Sequence, residues 1–185
     1  MQNIVISRPK IEDYKKLSHF FRIVITDTYT KEGIGHLLDD IEKEIEVKQK
    51  YLNLDIESNG ENRYFLLAIN NDQIIGTIEF GTVSDLIINL TNGALKELVE
   101  VGTVYVHPDY QGRGIGTLLL NVMYLTLQNK GITEFCLDSG YKRAQKIWTK
   151  KFGEPDYLVK NYWSQGFHHM IWKRKTSDML IMFKN

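Results

Sequence analysis

A short glycine-rich segment, QGRGIG at positions 111–116, is the part of the sequence best suited to bind a ligand. It follows the β-type run 104–106 and Pro108, and it leads directly into an apolar helical pattern. Backbone N–H groups at a helix N-terminus lack intrahelical partners, and the helix dipole adds partial positive charge there. Glycines permit positive φ and a close approach of an anion, and Arg113 adds a cation. These features predict a phosphate-binding loop, and the alternative is a tight strand-to-helix turn without a ligand.

Two common nucleotide-binding motifs do not match this loop. A Walker loop ends in Gly-Lys followed by Ser or Thr, whereas Gly116 is followed by Thr117 with no lysine. The dinucleotide fingerprint G-x-G-x-x-G, counted from Gly112, requires a glycine where Thr117 stands. The loop therefore belongs to neither motif, and a generic nucleotide-phosphate binder stays an open alternative.

The segments that position the loop alternate between strand and helix patterns. Apolar residues at helical spacing predict helices over about 11–28, 37–52, 115–130 and 143–152. β-rich runs bounded by turns predict strands at 3–7, 63–70, 74–83, 97–106, 133–137, 157–163 and 167–175. The order β-α-α-β-β-β-α-β-α-β-β, with no repeat or linker, predicts one α+β (mixed α/β) domain over residues 1–185.

The composition removes several classes of partner. The 185 residues carry 23 basic and 23 acidic side chains, so no charge excess favours nucleic acid or an anionic membrane. No apolar run approaches the roughly 20 residues of a membrane-spanning helix, and MQNIVISRPK lacks the layout of a signal peptide. The single cysteine, Cys136, rules out an internal disulfide and fits a reducing compartment. We therefore expect a soluble cytoplasmic protein without nucleic-acid or membrane partners.

The segment VYVHPDYQGRGIGTLLL resembles motif A of the GCN5-related N-acetyltransferase (GNAT) superfamily, whose signature is Gln/Arg-x-x-Gly-x-Gly/Ala. Positions 111–116 fill this signature completely, and the elements before and after it follow the family order over most of the chain. Motif A is the specific part of the resemblance. It implies the GNAT fold, a largely antiparallel twisted sheet of about seven strands with splayed parallel central strands and helices on both faces.

The resemblance also implies acetyl-coenzyme A as a co-substrate and no metal ion. In this family the loop amides bind the pyrophosphate, and the strand before the loop binds the pantetheine arm. The residues implied for cofactor binding are Val104, Tyr105, Val106, Gln111, Gly112, Arg113, Gly114, Ile115, Gly116, Thr117 and Trp148. Trp148 is interpreted either as a wall of the thioester pocket or as a core aromatic residue.

Glu100 is the candidate general base. An alkylammonium acceptor must lose a proton, since its pKa is near that of lysine, roughly 10.4. Glu100 lies eleven positions before Gln111, the register of the general base in the histone acetyltransferase branch of the family. Alternation along the strand places it on one face with Gly102, Val104 and Val106. The alternative is an ordinary carboxylate exposed at a strand end.

Tyr141 is the candidate general acid. Family members often carry a tyrosine after motif A in the context Asn-x-x-Ala-x-x-x-Tyr. Here Ala144 matches the alanine, Tyr141 stands at the asparagine position, and Trp148 stands at the tyrosine position. Because tryptophan is not a useful proton donor, either the thiolate leaves unassisted or a group such as Tyr141 serves.

We therefore expect an N-acetyltransferase that moves an acetyl group from acetyl-coenzyme A to a primary amine of a small molecule. A thioester is already activated, so direct attack by the amine needs no covalent enzyme intermediate. Tyr29, Tyr162 and Trp163 are candidates to line the acceptor pocket, and a homodimer is a further expectation from relatives. The alternatives are a protein or peptide N-acetyltransferase, and a non-catalytic acyl-coenzyme A sensor that has lost its acid–base groups.

Overall fold

Seven strands and five helices make up residues 3–183, the part of the chain that the computed structural model describes. The strands are β1 (Ile4–Ser7), β2 (Arg63–Asn70), β3 (Gln73–Thr82), β4 (Val99–Val106), β5 (Glu134–Ser139), β6 (Tyr157–Ser164) and β7 (Phe167–Lys175). The helices are α1 (Tyr14–Lys31), α2 (Leu38–Ser58), α3 (Asp85–Leu90), α4 (Ile115–Asn129) and α5 (Lys142–Phe152).

The strands form a seven-stranded sheet in the order β1-β2-β3-β4-β5-β7-β6. The pairs β1–β2, β5–β7 and β6–β7 are antiparallel, whereas β4 and β5 are parallel and pair Val99 with Phe135 and Glu100 with Cys136. The fold class predicted from the sequence, a mixed and largely antiparallel sheet of about seven strands with helices, is confirmed. No helix within residues 3–183 is long and apolar enough to cross a membrane.

Contacts along the chain define two compact units. Unit 1 contains the described residues of Met1–Phe80, Thr103–Leu125 and Ile181–Asn185, and unit 2 contains Gly81–Gly102 and Thr126–Leu180. The single domain expected over residues 1–185 stays a prediction.

The amphipathic patterns of α1 and α2 build the core of unit 1. Apolar residues at helical spacing such as Leu17, Phe21 and Ile45 are buried, because burying one stripe of a helix removes its apolar surface from water. Ile11, Leu37 and Leu38, which belong to the same predicted pattern, are exposed. Phe21 packs against Phe65 of β2, with ring centroids 6.4 Å apart. Helix α1 therefore packs on β2 of unit 1.

Helix α3 is not predicted by the sequence, and the expected order with four helices is wrong on this point. Its six residues are too few to show a helical repeat of apolar side chains. Ser84 precedes the helix in an extended conformation, and Ile87 is fully buried in an apolar cluster of unit 2 with Val83, Leu95 and Ile171. Burial of this one side chain stabilises a helix that is too short to form in isolation.

Strand β4 does not keep the simple alternation that the sequence predicts. Thr103 has φ of +51°, a left-handed conformation that β-branched residues rarely adopt. The consecutive residues Glu100 and Val101 are both buried. The period of two that predicted a common face for Glu100, Gly102, Val104 and Val106 therefore fails at Thr103.

A buried network in unit 1 holds Thr103 in this conformation. Its hydroxyl donates to Glu79 Oε1 at 3.0 Å, and its carbonyl accepts from the Thr77 hydroxyl at 2.9 Å. Glu79 Oε2 accepts from Arg63 at 2.7 Å, and these two side chains are 0% and 3% exposed. Burial raises the pKa of Glu79, although the nearby charges of Arg63 and Lys48 oppose that shift.

We expect Glu79→Gln to destabilise the protein strongly, because it leaves the buried Arg63 cation without its counterion. Breaking a buried pair in this way typically costs about 3–5 kcal/mol. Urea unfolding followed by circular dichroism measures the loss.

The matched control is Glu42→Gln, which removes the carboxylate of the exposed Arg22–Glu42 pair in the same unit. Solvent screens this pair, so the control should unfold near the wild-type midpoint. Similar midpoints for the two variants would show that the Arg63–Glu79 pair does not hold unit 1.

Candidate functional site

The glycine-rich loop joins β4 to α4 within unit 1. The His107 N–H donates to Ile75 O on β3 at 2.9 Å, and a 3-10 turn at Pro108–Tyr110 follows. Helix α4 begins at Ile115, and the Leu118 N–H donates to Gly114 O at 2.9 Å. Amides that precede this bond belong to the first turn, where backbone N–H groups have no helical carbonyl to reach. The loop therefore ends in a helix N-terminus suited to an anion.

The glycines of the loop serve two different purposes. Gly112 and Gly114 have φ of +75° and +84°, and a Cβ at either position would have no neighbour within 4 Å. Their conformation needs glycine, and the space beside their backbone is open to a ligand. Gly116 lies inside α4, where a Cβ would make an ordinary contact of 3.7 Å with Val106. Of the three glycines in the predicted phosphate-binding loop, only Gly112 and Gly114 adopt a conformation that requires glycine.

Gln111 holds the loop together. Its Nε2 donates to Val106 O at 3.1 Å, and its Oε1 accepts from Lys31 Nζ at 3.0 Å. Arg113 is exposed, with its guanidinium carbon 5.3 Å from the Tyr110 ring centroid. The cation predicted beside the loop is therefore on its surface, while the glutamine amide is engaged in shaping the loop.

Among the other predicted cofactor-binding residues of unit 1, the side chains of Ile115 and Tyr105 are engaged within the protein, which leaves their backbone groups to contact a ligand. Ile115 is 2% exposed and packs inward. The Tyr105 hydroxyl donates to Glu44 Oε1 at 2.6 Å, and burial followed by the Glu44 charge raises the pKa of Tyr105 well above its ordinary value. Val104 and Val106 are half-buried, and Thr117 is exposed in the first turn of α4. Cofactor binding by these residues stays a prediction.

Gly76 on β3 is a positioning residue that the sequence reasoning missed. A Cβ there would lie 2.9 Å from Leu119 Cδ1 and 3.1 Å from Tyr105 O. Only glycine lets α4 approach β3 this closely, so Gly76 fixes the start of the helix relative to the strand. An isolated glycine inside a strand pattern is the signal that indicates such a close approach.

Glu100 lies in unit 2 and is 8% exposed. Its Oε2 accepts from the Ser84 N–H at 2.7 Å, which ties it to the start of α3. Its strand partner Cys136 is fully buried, and burial, with smaller effects of Glu100 and Asp138, raises the pKa of the Cys136 thiol to about 12. The thiol is therefore protonated at neutral pH and unsuited to act as a nucleophile.

Tyr141 and Trp148 also lie in unit 2. Tyr141 is half-buried before the first turn of α5, and its N–H donates to Ser139 Oγ at 3.1 Å. Trp148 is 8% exposed and stacks on Phe152 with ring centroids 5.8 Å apart. This packing agrees with the core-aromatic interpretation of Trp148, and its cofactor role stays a prediction. Within residues 3–183 no group of three or more His, Cys, Asp or Glu side chains is arranged to hold a metal ion.

The model of the acetyltransferase (GNAT) family matches residues 32–153, which is more than half of the chain. No curated protein matches the sequence.

Solved structures share the fold at low sequence identity. The PaiA N-acetyltransferase of Thermoplasma acidophilum in complex with coenzyme A is 22% identical, with a TM-score of 0.66 over 94% of this chain and 99% of that chain. An aminoglycoside 6′-acetyltransferase type Ii is 15% identical, with a TM-score of 0.63 over 93% and 97%. The ribosomal-protein-S18-alanine N-acetyltransferase of Escherichia coli is 15% identical, with a TM-score of 0.59 over 98% and 96%. These likenesses establish the fold.

We expect Gly114→Ala to weaken coenzyme A binding by at least about tenfold, equivalent to about 1.4 kcal/mol. The new Cβ would occupy the open space of the loop, and a left-handed alanine costs about 1–2 kcal/mol. Isothermal titration calorimetry measures the affinity.

The matched control is Gly131→Ala at the end of α4, where φ is +73° and a Cβ also has no neighbour within 4 Å. It imposes a similar backbone strain outside the loop. Equal affinities for the two variants would show that the loop does not bind the ligand.

Proposed function

This chain belongs to the GNAT acetyltransferase family, and on that premise we propose that it transfers an acetyl group from acetyl-coenzyme A to a primary amine of a small molecule. The observation that carries the proposal is the open loop at the start of α4, where Gly112 and Gly114 adopt positive φ. We treat residues 1–185 as one catalytic domain. The buried, unpaired Cys136 is consistent with a reducing compartment, which supports a cytoplasmic location.

The loop is proposed to bind the diphosphate of acetyl-coenzyme A. The first-turn amides of α4 would donate to the anion, and the surface cation of Arg113 would add attraction. Gln111 keeps the loop in shape through its contacts with Val106 and Lys31. The thioester supplies an activated acetyl group, and the residues of the chain must bind it, orient it and move protons.

Glu100 is proposed to accept the proton of the amine. It is a buried carboxylate, and the hydrogen bond from the Ser84 N–H fixes its orientation. A general base needs such a fixed position near the proton it removes. Tyr141 is proposed as the general acid, since its backbone is tied to Ser139 and its side chain is half-buried at the start of α5.

One fold supports many acceptor substrates, so the acceptor is proposed from the site and not from the fold. Two proteins of the same fold carry an aminoglycoside and a ribosomal protein in their names. A small-molecule acceptor is the proposal, with a protein acceptor as the competing possibility. A homodimer stays a prediction.

A non-catalytic acyl-coenzyme A sensor is the second candidate function. Trp148 stands where family members often have a tyrosine acid, and tryptophan is not a useful proton donor; its ring stacks on Phe152. Release of free thiol from acetyl-coenzyme A, measured with a panel of amines, separates the two functions. We expect turnover with at least one amine, and tight coenzyme A binding without any turnover would favour the sensor.

We expect Glu100→Gln to lower kcat by about 10²–10⁴-fold, the usual contribution of general acid–base catalysis. The amide oxygen can still accept from the Ser84 N–H, so coenzyme A affinity and stability should change little. The acidic limb of the pH–rate profile should disappear with the carboxylate.

Glu97→Gln is the matched control, because the Glu97 side chain is 86% exposed and lies three residues earlier. It should retain the wild-type rate. An unaltered pH–rate profile in Glu100→Gln would remove Glu100 from the mechanism.

A further inference from the structure

Two consecutive aromatic residues of β6 in unit 2, Tyr162 and Trp163, meet on one surface. Successive side chains of a regular strand point to opposite faces, so this arrangement needs an irregularity. Asn161 supplies it with φ of +56°, within a break of the β6–β7 register. A bulge of this kind re-aims the following side chains. The two rings are perpendicular with centroids 4.9 Å apart, and Tyr162 and Trp163 are 42% and 56% exposed.

Behind these rings lies the buried His169 of β7. The Trp163 indole N–H donates to His169 Nδ1 at 3.2 Å. Since an indole nitrogen only donates, Nδ1 must be the acceptor and the ring proton must reside on Nε2. Nε2 is 2.8 Å from Asp138 Oδ2, to which it donates. The hydrogen-bond network thus fixes one tautomer of a histidine that is 2% exposed, and the histidine holds one carboxylate oxygen.

Asp138 is the charged member of this group. Its side chain is 22% exposed and lies on β5, two residues before Gly140. A Cβ at Gly140 would overlap Trp163 Nε1, so only glycine admits the indole there. Tyr141, the proposed acid, is the next residue. The β5–α5 junction therefore accommodates the exposed indole of Trp163, which is linked to Asp138 through His169.

A carboxylate linked through one buried histidine to two exposed aromatic rings is suited to bind an organic cation. The carboxylate attracts the charge, and the π-faces of tryptophan and tyrosine add cation–π attraction. Large aromatic surfaces at this level of exposure, adjoining one another, are typical of binding surfaces.

We propose that Asp138, Tyr162 and Trp163 bind an ammonium group of the acceptor, with His169 as the positioning residue for Asp138. This proposal rests on the proposed acetyltransferase function and narrows its substrate class. An anion beside an ammonium favours the protonated form, whereas the reacting amine must be deprotonated. The bound ammonium is therefore a second one, and the acceptor is a diamine or a larger amine with two cationic centres.

The experiment compares α,ω-diaminoalkanes with amino alcohols of the same length, in which a hydroxyl replaces the second ammonium. We expect the wild-type kcat/KM to be about 10- to 100-fold higher for the diamine than for the amino alcohol. This ratio is the usual contribution of one hydrogen bond to a charged group. Asp138→Asn and Trp163→Ala should each lower this ratio, mainly through the KM for the diamine. Asp178→Asn, the same change at an exposed position of unit 2, should keep the wild-type ratio.

His169 is tested by two variants. His169→Leu removes the donor to Asp138, whereas His169→Gln keeps an N–H donor. We expect the diamine KM to rise in His169→Leu, to recover in part in His169→Gln, and kcat to change little in either. Circular dichroism of each variant identifies a failure to fold, and in that event Asp138→Asn and Trp163→Ala decide the question.

Measuring diamine binding directly tests the ammonium site independently of the proposed acetyl transfer. If no amine supports thiol release, acetyl transfer is contradicted, and calorimetric titration of the wild type with the diamine still tests the ammonium site. Diamine binding that is lost in Asp138→Asn and retained in Asp178→Asn would support the site. Absence of binding, or a diamine preference that Asp138→Asn leaves intact, would overturn it.

Discussion

The buried ion pair between Arg63 and Glu79 is the constraint on which the structure of unit 1 depends. Two charges removed from water are tolerated only when their mutual attraction and their further contacts offset the lost hydration. Arg63 meets Glu79 at 2.7 Å and lies over the Tyr51 ring at 3.6 Å. The second oxygen of Glu79 is satisfied by the hydroxyl of Thr103, so the pair also specifies the conformation of β4.

The magnitudes show why Thr103 stays in an unfavourable conformation. A left-handed backbone costs a residue with a Cβ about 1–2 kcal/mol. A hydrogen bond to a charged group contributes about 1.5–3 kcal/mol, and the Thr77 hydroxyl adds a neutral bond to the Thr103 carbonyl. The network therefore offsets the strain, and the residues after Thr103 enter the glycine-rich loop in a register that regular alternation would not give.

The dependence of Thr103 on residues of other strands explains which structural features can be predicted from the sequence. The glycine-rich loop is readable because Gly112 and Gly114 mark positive φ by their own type, and long helices such as α4 show many turns of apolar spacing. Thr103 carries no such mark, since its conformation is imposed by a glutamate on another strand. Helix α3 is hidden for a related reason, because burial of Ile87 stabilises six residues that show no repeat.

The residues of the candidate site also differ in how much of their role local sequence can reveal. Backbone features of the loop follow from local residue types, whereas the role of a side chain depends on partners far along the chain. Gln111 fits motif A, yet its amide is engaged with Val106 and with Lys31, which lies 80 residues away in sequence. Asp138 and His169 are 31 residues apart and meet only through the pairing of β5 with β7. No local spacing could bring them together.

The two irregular strands differ in what keeps them irregular. Asparagine adopts the left-handed region readily, and Asn161 stabilises its own turn when its Oδ1 accepts from the Gly166 N–H at 2.8 Å. Thr103 instead requires a buried ion pair from two other strands. A conformation set by nearby contacts can change with a few substitutions, whereas one set by the core cannot change alone. The β4 irregularity is thus fixed with the core of unit 1, whereas the irregularity at Asn161 depends on a contact within the β6–β7 hairpin.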